Sequence, residues 1–152
     1  MFPVMRIRRL LPGDELAVLH AGYLFDEPEV DVTAVRAYLA DARNVFLIAF
    51  EGSEALGFLR GTELLQLSSR RKQMFLYEIG VDKEFRRRGV GKALVNALLS
   101  DCRERGFEEV FVFTNPANLP AVALYRSTGA TTETPADRMF VYPLHTDFES
   151  PV

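Results

Sequence analysis

Cysteine, histidine and long apolar runs are what this chain has least of, and each shortage closes off a class of function. A single cysteine, Cys102, excludes an intramolecular disulfide and a cysteine-built metal cluster, and suits a reducing, cytoplasmic compartment. Cys102 shares a helical stripe with Leu94, Val95, Leu98 and Leu99, so it reads as a buried small hydrophobe rather than a nucleophile. The two histidines, His20 and His145, stand alone, which leaves no Ser-His-Asp arrangement and no metal set. Residues Met1 to Pro12 carry arginines at 6, 8 and 9 but no apolar run long enough for a signal peptide or membrane span, so the protein is expected to stay inside the cell. Repeats and low-complexity tracts are absent. At 152 residues, 48% hydrophobic and 26% charged, the chain is expected to form one domain over 1–145 with a disordered tail over 146–152. Folding at this size buries about 68–70% of the unfolded surface, enough for a self-sufficient core.

The net charge of −3 is unevenly spread. Between Leu10 and Val35 lie six carboxylates (Asp14, Glu15, Asp26, Glu27, Glu29, Asp31) and no lysine or arginine. From Arg60 to Arg105, eleven basic residues face six acidic ones. A basic middle suits an anionic cofactor and an acidic N-terminal third suits a cationic partner, the alternative being two ordinary solvated faces.

Periodicity and breakers place the elements. Val4 to Arg9 alternates like a strand, and Leu11-Pro12-Gly13-Asp14 breaks it before a helix over Glu15 to Leu24. Phe25 to Asp31, acidic and holding Pro28, is a loop. Asp31 can cap a helix from Val32 to Ala42, with Val35, Tyr38 and Leu39 inward. Val45 to Phe50 and Ala55 to Leu64 form a strand pair, followed by an exposed loop from Leu65 to Gln73 and a strand from Met74 to Val81. A helix from Gly91 to Arg105 ends at Gly106, a strand covers Glu109 to Thr114, a helix Leu119 to Ser127, and a last strand Met139 to Tyr142.

The run Arg86-Arg87-Arg88-Gly89-Val90-Gly91-Lys92 carries the most chemistry, because it turns from a strand into a helix. Two glycines remove side chains that would block close approach, the helix N-terminus adds unpaired N–H donors, and the cations supply outer charge: the arrangement cradles a pyrophosphate. It is not a Walker loop, since Gly91-Lys92 is followed by Ala93 and not by Ser or Thr, nor a Gly-x-Gly-x-x-Gly dinucleotide turn. Together with Glu78-Ile79-Gly80-Val81-Asp82, the Arg86-x-x-Gly89-x-Gly91 spacing resembles the acetyl-CoA loop of the GCN5-related N-acetyltransferases (GNAT family). A second block, Asn118-Leu119-Pro120-Ala121-Val122-Ala123-Leu124-Tyr125-Arg126-Ser127-Thr128-Gly129, is similar to that family's Asn-x-x-Ala-x-x-Leu-Tyr helix.

The resemblance implies an α/β fold with a mixed sheet of about six to seven strands and four helices, parallel only at splayed central strands that hold acetyl-CoA. It implies no metal, and it makes a homodimer plausible. It places the pantetheine arm on the backbone amides of Ile79 and Val81, with Gly80 between them in the cofactor site, and the pyrophosphate on Arg86, Arg87, Arg88, Gly89, Val90, Gly91 and Lys92. Asn118 either reaches the pantetheine or caps its helix.

Acetyl transfer to an amine needs a deprotonated nucleophile, a stabilised oxyanion and a proton for the leaving thiolate. Glu78 interrupts an apolar run, where lost hydration would make a better base, although period two groups it with Leu76 and Gly80 and leaves a solvated face open. The resemblance also puts acceptor contacts at Tyr77 and Glu78. Tyr125 stands at the family's general-acid position beside the CoA sulfur, the alternative being a packed aromatic ring.

Within the family, Phe75 to Val81 and the Pro-Ala-x-x-Leu-Tyr block are similar to the type I aminoglycoside 3-N-acetyltransferases, with Glu78 one methylene longer than their aspartate. An aminoglycoside is a polycation, and Asp26, Glu27, Glu29 and Asp31 are the carboxylates expected to meet it. Peptide, protein or polyamine acetylation would show the same charge. A non-catalytic acyl-CoA-binding module is disfavoured by Glu78 and Tyr125 together, and nucleic-acid binding by the negative net charge and the lack of aromatics among the basic runs.

Overall fold

The structure is a computed structural model that describes residues 4–27, 29–132, 136 and 139–144. Its frame is a five-stranded sheet in the order β1-β2-β3-β4-β5, built from Met5–Arg9, Asn44–Glu51, Glu54–Leu64, Gln73–Val81 and Glu109–Phe111. All neighbours are antiparallel except β4 and β5. That parallel pair is joined by helix α3 (Val90–Glu104), a crossover of the length parallel strands require. Helices α1 (Glu15–His20) and α2 (Val32–Ala40) precede β2, and α4 (Leu119–Ser127) follows β5.

The run Val45 to Phe50 is buried throughout, as a strand covered on both faces must be. Alternate residues feed two separate cores. Val45, Leu47 and Ala49 join Met74 and Leu76 beneath the stripe Leu94, Val95, Leu98 and Cys102 of α3. Phe46, Ile48 and Phe50 join Phe58 beneath Val18 of α1 and Val35 and Leu39 of α2. Each fully buried Leu or Ile in these layers contributes roughly 1.5–3 kcal/mol.

Several expected boundaries shift for local reasons. The first helix stops at His20, and the chain tightens into a 3₁₀ turn over Gly22–Leu24. Asp31 caps α2 as expected, its Oδ1 accepting from the Ala34 N–H at 2.9 Å. That helix ends at Ala40 because Asp41 turns extended and its carboxylate binds the backbone N–H and guanidinium of Arg43. α4 spans the expected residues, and Gly106 terminates α3.

The expected strand at Met139 to Tyr142 is not formed: those residues are irregular and largely exposed, and the sheet has five strands among the described residues. β5 stops at Phe111, three residues short of Thr114, so its pairing to β4 covers only Gln73, Met74 and Phe75. The tail expected over 146–152, together with His145 and Pro28, lies outside the described residues. No helix among the described residues is long and apolar enough to cross a membrane.

Candidate active site

Where β5 ends, β4 continues alone on that side from Leu76 to Val81, so alternate backbone amides of this stretch, Ile79 and Val81 among the candidates, have no neighbouring strand. The side chains of Ile79 and Val81 meanwhile pack on the α3 core, which fixes the strand in place. This opening is the splay expected for an acyl-CoA arm.

The chain then passes through a 3₁₀ turn, Lys83–Phe85, into the loop that starts α3. Gly89 is the residue before the helix, in a left-handed conformation with φ +80°, and no side chain caps the helix. A Cβ built on Gly89 meets nothing within 4 Å, so no side chain covers the unpaired N–H groups of the first turn from this position. Arg87 is also left-handed, φ +65°. Arg86, Arg87, Arg88 and Lys92 are all exposed. Two of them are engaged within the chain: Arg88 places its Nη2 3.1 Å from Glu51 Oε2 and its guanidinium 5.4 Å from the Phe85 ring, and Arg86 Nε donates to the Val81 carbonyl at 3.4 Å. Gly91 has a packing reason as well: its Cβ would come within 3.3 Å of Leu124 Cδ2 on α4. An uncapped helix terminus led by a glycine, with four exposed cations around it, fits a pyrophosphate-bearing acyl donor.

The decisive local feature is a β-bulge. Arg60 pairs with Glu78 but Gly61 pairs with Leu76, leaving Tyr77 as the extra residue. Met74 and Leu76 therefore face the α3 core, while Glu78 and Gly80, beyond the bulge, face α1 and α2. Simple alternation, which grouped Glu78 with Leu76, fails for this reason. Gly80 is small because the Phe58 ring fills its place, a Cβ there reaching 2.6 Å from Phe58 Cε1.

Glu78 is neither alone nor desolvated among apolar side chains, as its setting in the sequence had suggested. Its Oε2 accepts from Arg60 Nε at 2.9 Å and Nη2 at 2.6 Å, and its side chain keeps 23% exposure. The same Nη2 reaches Glu27 Oε1 at 3.2 Å. Arg60 lies 5.6 Å from the Tyr38 ring and 5.0 Å from the Tyr77 ring. Its presence was invisible in sequence, since nothing but the register joins positions 60 and 78.

These side chains line a cavity of about 170 Å³. Phe25, Tyr38 and Phe46 give it aromatic walls, and Glu27, Glu29 and Asp31 bring the acidic loop to its rim beside Glu78. Asp26 is exposed and does not line it. Tyr38 donates toward the carbonyls of Val45 and Gly61, both at 3.1 Å, and burial pushes its phenol up to about 12, so it stays neutral.

On the opposite face, Tyr125 packs against the α3 core, and burial raises its pKa above the ordinary tyrosine value of 10.0. Asn118 does cap α4, its Oδ1 accepting from the Ala121 N–H at 3.2 Å, which leaves its amide NH₂ available to donate to a ligand. Cys102 is buried, and burial together with Asp101 pushes its thiol up to about 11, the setting of an inert core residue. Among the described residues no group of carboxylates, histidines and cysteine is arranged to hold a metal.

A mixed sheet that splays beside its one parallel pair, with a glycine-led helix at the opening, is the fold of the acetyltransferase class. The chain belongs to the acetyltransferase (GNAT) family, whose model matches residues 13–130. Human N-acetyltransferase 8 is 33% identical to it over 99 residues, 65% of this chain and 43% of that protein. The chain thus spans under half the length of the curated relatives it matches. Aminoglycoside acetyltransferase meta-AAC0020, from an uncultured soil metagenomic sample and solved in complex with sisomicin, has a TM-score of 0.81 and 26% identity, covering 93% of this chain and 97% of that one. Aminoglycoside N-acetyltransferase AAC(6')-Iy, solved in complex with CoA, shares the fold with a TM-score of 0.74 and 22% identity over 94% of this chain and 96% of that one.

Proposed function

We propose that the chain is an acetyl-CoA-dependent N-acetyltransferase acting on an amine of a cationic small molecule, first among candidates an aminoglycoside at its 3-amino group, by direct attack in a ternary complex. The observation that carries this reading is the cavity in which the acidic loop and Glu78 converge on one face of β4, while the donor cradle opens at the end of the same strand.

Acetyl-CoA supplies an activated acyl thioester. The chain's residues do the rest: the amides and cations of the 86–92 loop bind the donor, and the open edge of β4 orients its arm. Glu27 and Glu29 draw an ammonium into the cavity. Glu78 Oε1, the oxygen not held by Arg60, takes a proton from the acceptor directly or through one water, and Tyr125 Oη holds the proton the departing sulfur needs. The aminoglycoside acetyltransferases among the structural relatives support the acceptor class.

The test is CoA release from acetyl-CoA across aminoglycosides, polyamines and basic peptides. Turnover favouring aminoglycosides, with the product acetylated at the 3-amino group, is expected. Preference for polyamines or peptides would move the acceptor assignment, and acetyl-CoA binding without turnover on any amine would make the chain an acyl-CoA-binding module.

A further inference from the structure

Four carboxylates line the cavity, and three are already engaged within the protein. Arg60 holds Glu78 and Glu27, and Asp31 is spent on the cap of α2. Glu29 alone has no hydrogen bond or ion pair among the described residues. Arg60 is the one cation on the cavity lining, sits on β3 directly opposite Glu78, and is held between two tyrosine rings with its side chain 18% exposed. Its guanidinium thus fills the place where an acceptor ammonium would meet Glu27 and Glu78 together.

We propose that Arg60 is a specificity-determining residue, a resident cation between Glu27 and Glu78 that lets the cavity take one charged nitrogen of an acceptor at a time. A second ammonium entering beside the first would meet the guanidinium instead of a free carboxylate, and like-charge contact at that range discriminates against it. Only the amine-bearing end of a polycation then enters, with its other charges left outside near Glu29 and Asp26. The inference rests on the cavity being the acceptor site.

The experiment compares wild type with Arg60→Met and Arg60→Lys, using cyclohexylamine as a single-charge acceptor and spermidine as a multiply charged one, each with acetyl-CoA. Arg60→Met should raise the spermidine-to-cyclohexylamine ratio of kcat/KM by about tenfold or more, chiefly through the spermidine KM, and Arg60→Lys should keep the wild-type ratio. A folded Arg60→Met variant with an unchanged ratio, or with equal losses on both acceptors, overturns the inference and reduces Arg60 to a support for Glu78. Arg60→Gln, which retains a donor to Glu78 without the charge, carries the same expectation if the Met variant folds poorly. Calorimetry of spermidine binding to the CoA complex reads the same selectivity without chemistry. Tighter binding in the variant supports the role of Arg60 even if no amine turns over, a result that would overturn only the catalytic reading, and unchanged binding overturns the inference.

Discussion

Replacing Gly89 by alanine separates two roles the structure assigns to one position. Its φ of +80° is a conformation that disfavours any residue with a Cβ by about 1–2 kcal/mol. Nothing lies within 4 Å of the added methyl, so no clash term joins the backbone term in the free protein. A loss near 1 kcal/mol in a domain of this size lowers Tm by about 2–4 °C. Gly91→Ala is the control: alanine is favoured inside a helix by about 1 kcal/mol, and the 3.3 Å approach to Leu124 opposes that gain, so its Tm should stay near wild type. The donor adds a third quantity. If the pyrophosphate binds over this turn, the Gly89→Ala methyl collides only when donor is bound, and acetyl-CoA Kd should rise about tenfold, equivalent to about 1.4 kcal/mol. Scanning calorimetry gives the first two numbers and titration calorimetry the third. Unchanged acetyl-CoA affinity in a folded Gly89→Ala variant would refute the loop assignment, and an unchanged Tm would refute the backbone argument.

Glu78→Gln should lower kcat by roughly 10²-fold or more with acceptor KM little changed, measured by initial-rate kinetics; near-normal kcat with a raised KM would limit Glu78 to acceptor binding. Tyr125→Phe should lower kcat by about 10²–10⁴-fold with acetyl-CoA affinity kept. Because burial raises the Tyr125 pKa, the phenol keeps its proton through mildly alkaline solution, and any basic limb it sets should fall above pH 10.0 in the wild type and vanish in the Phe variant. Glu29→Gln should raise the KM of cationic acceptors several-fold and flatten its salt dependence at nearly constant kcat, which initial-rate kinetics at two ionic strengths would show. Asp31→Ala removes the α2 cap and should cost about 1 kcal/mol in a denaturation experiment.

Features written in consecutive residues were legible in advance. The cap at Asp31, the span of α4 and the glycine at 106 that ends α3 each follow from side chains within a turn of where they act. Pairing across the sheet was not. A single extra residue at Tyr77 reverses the facing of Glu78, and no local pattern announces it, because the bulge is a property of the β3–β4 register. The Arg60–Glu78 pair was hidden for the same reason. Met139 to Tyr142 shows the opposite failure: an apolar, β-prone run finds no strand partner among the described residues, so propensity without pairing makes no strand.

The two core clusters lie on opposite faces of the sheet, and that partition bears on how such a protein changes over time. Phe46 and Phe58 support the cavity from one side, and Leu94 and Leu98 support α3 from the other. Substitutions on opposite faces that share no contact should combine additively, so the cavity face can be rebuilt through many tolerated steps without unsettling the helix that follows Gly89. A fold divided in this way can hold one half constant while the other changes.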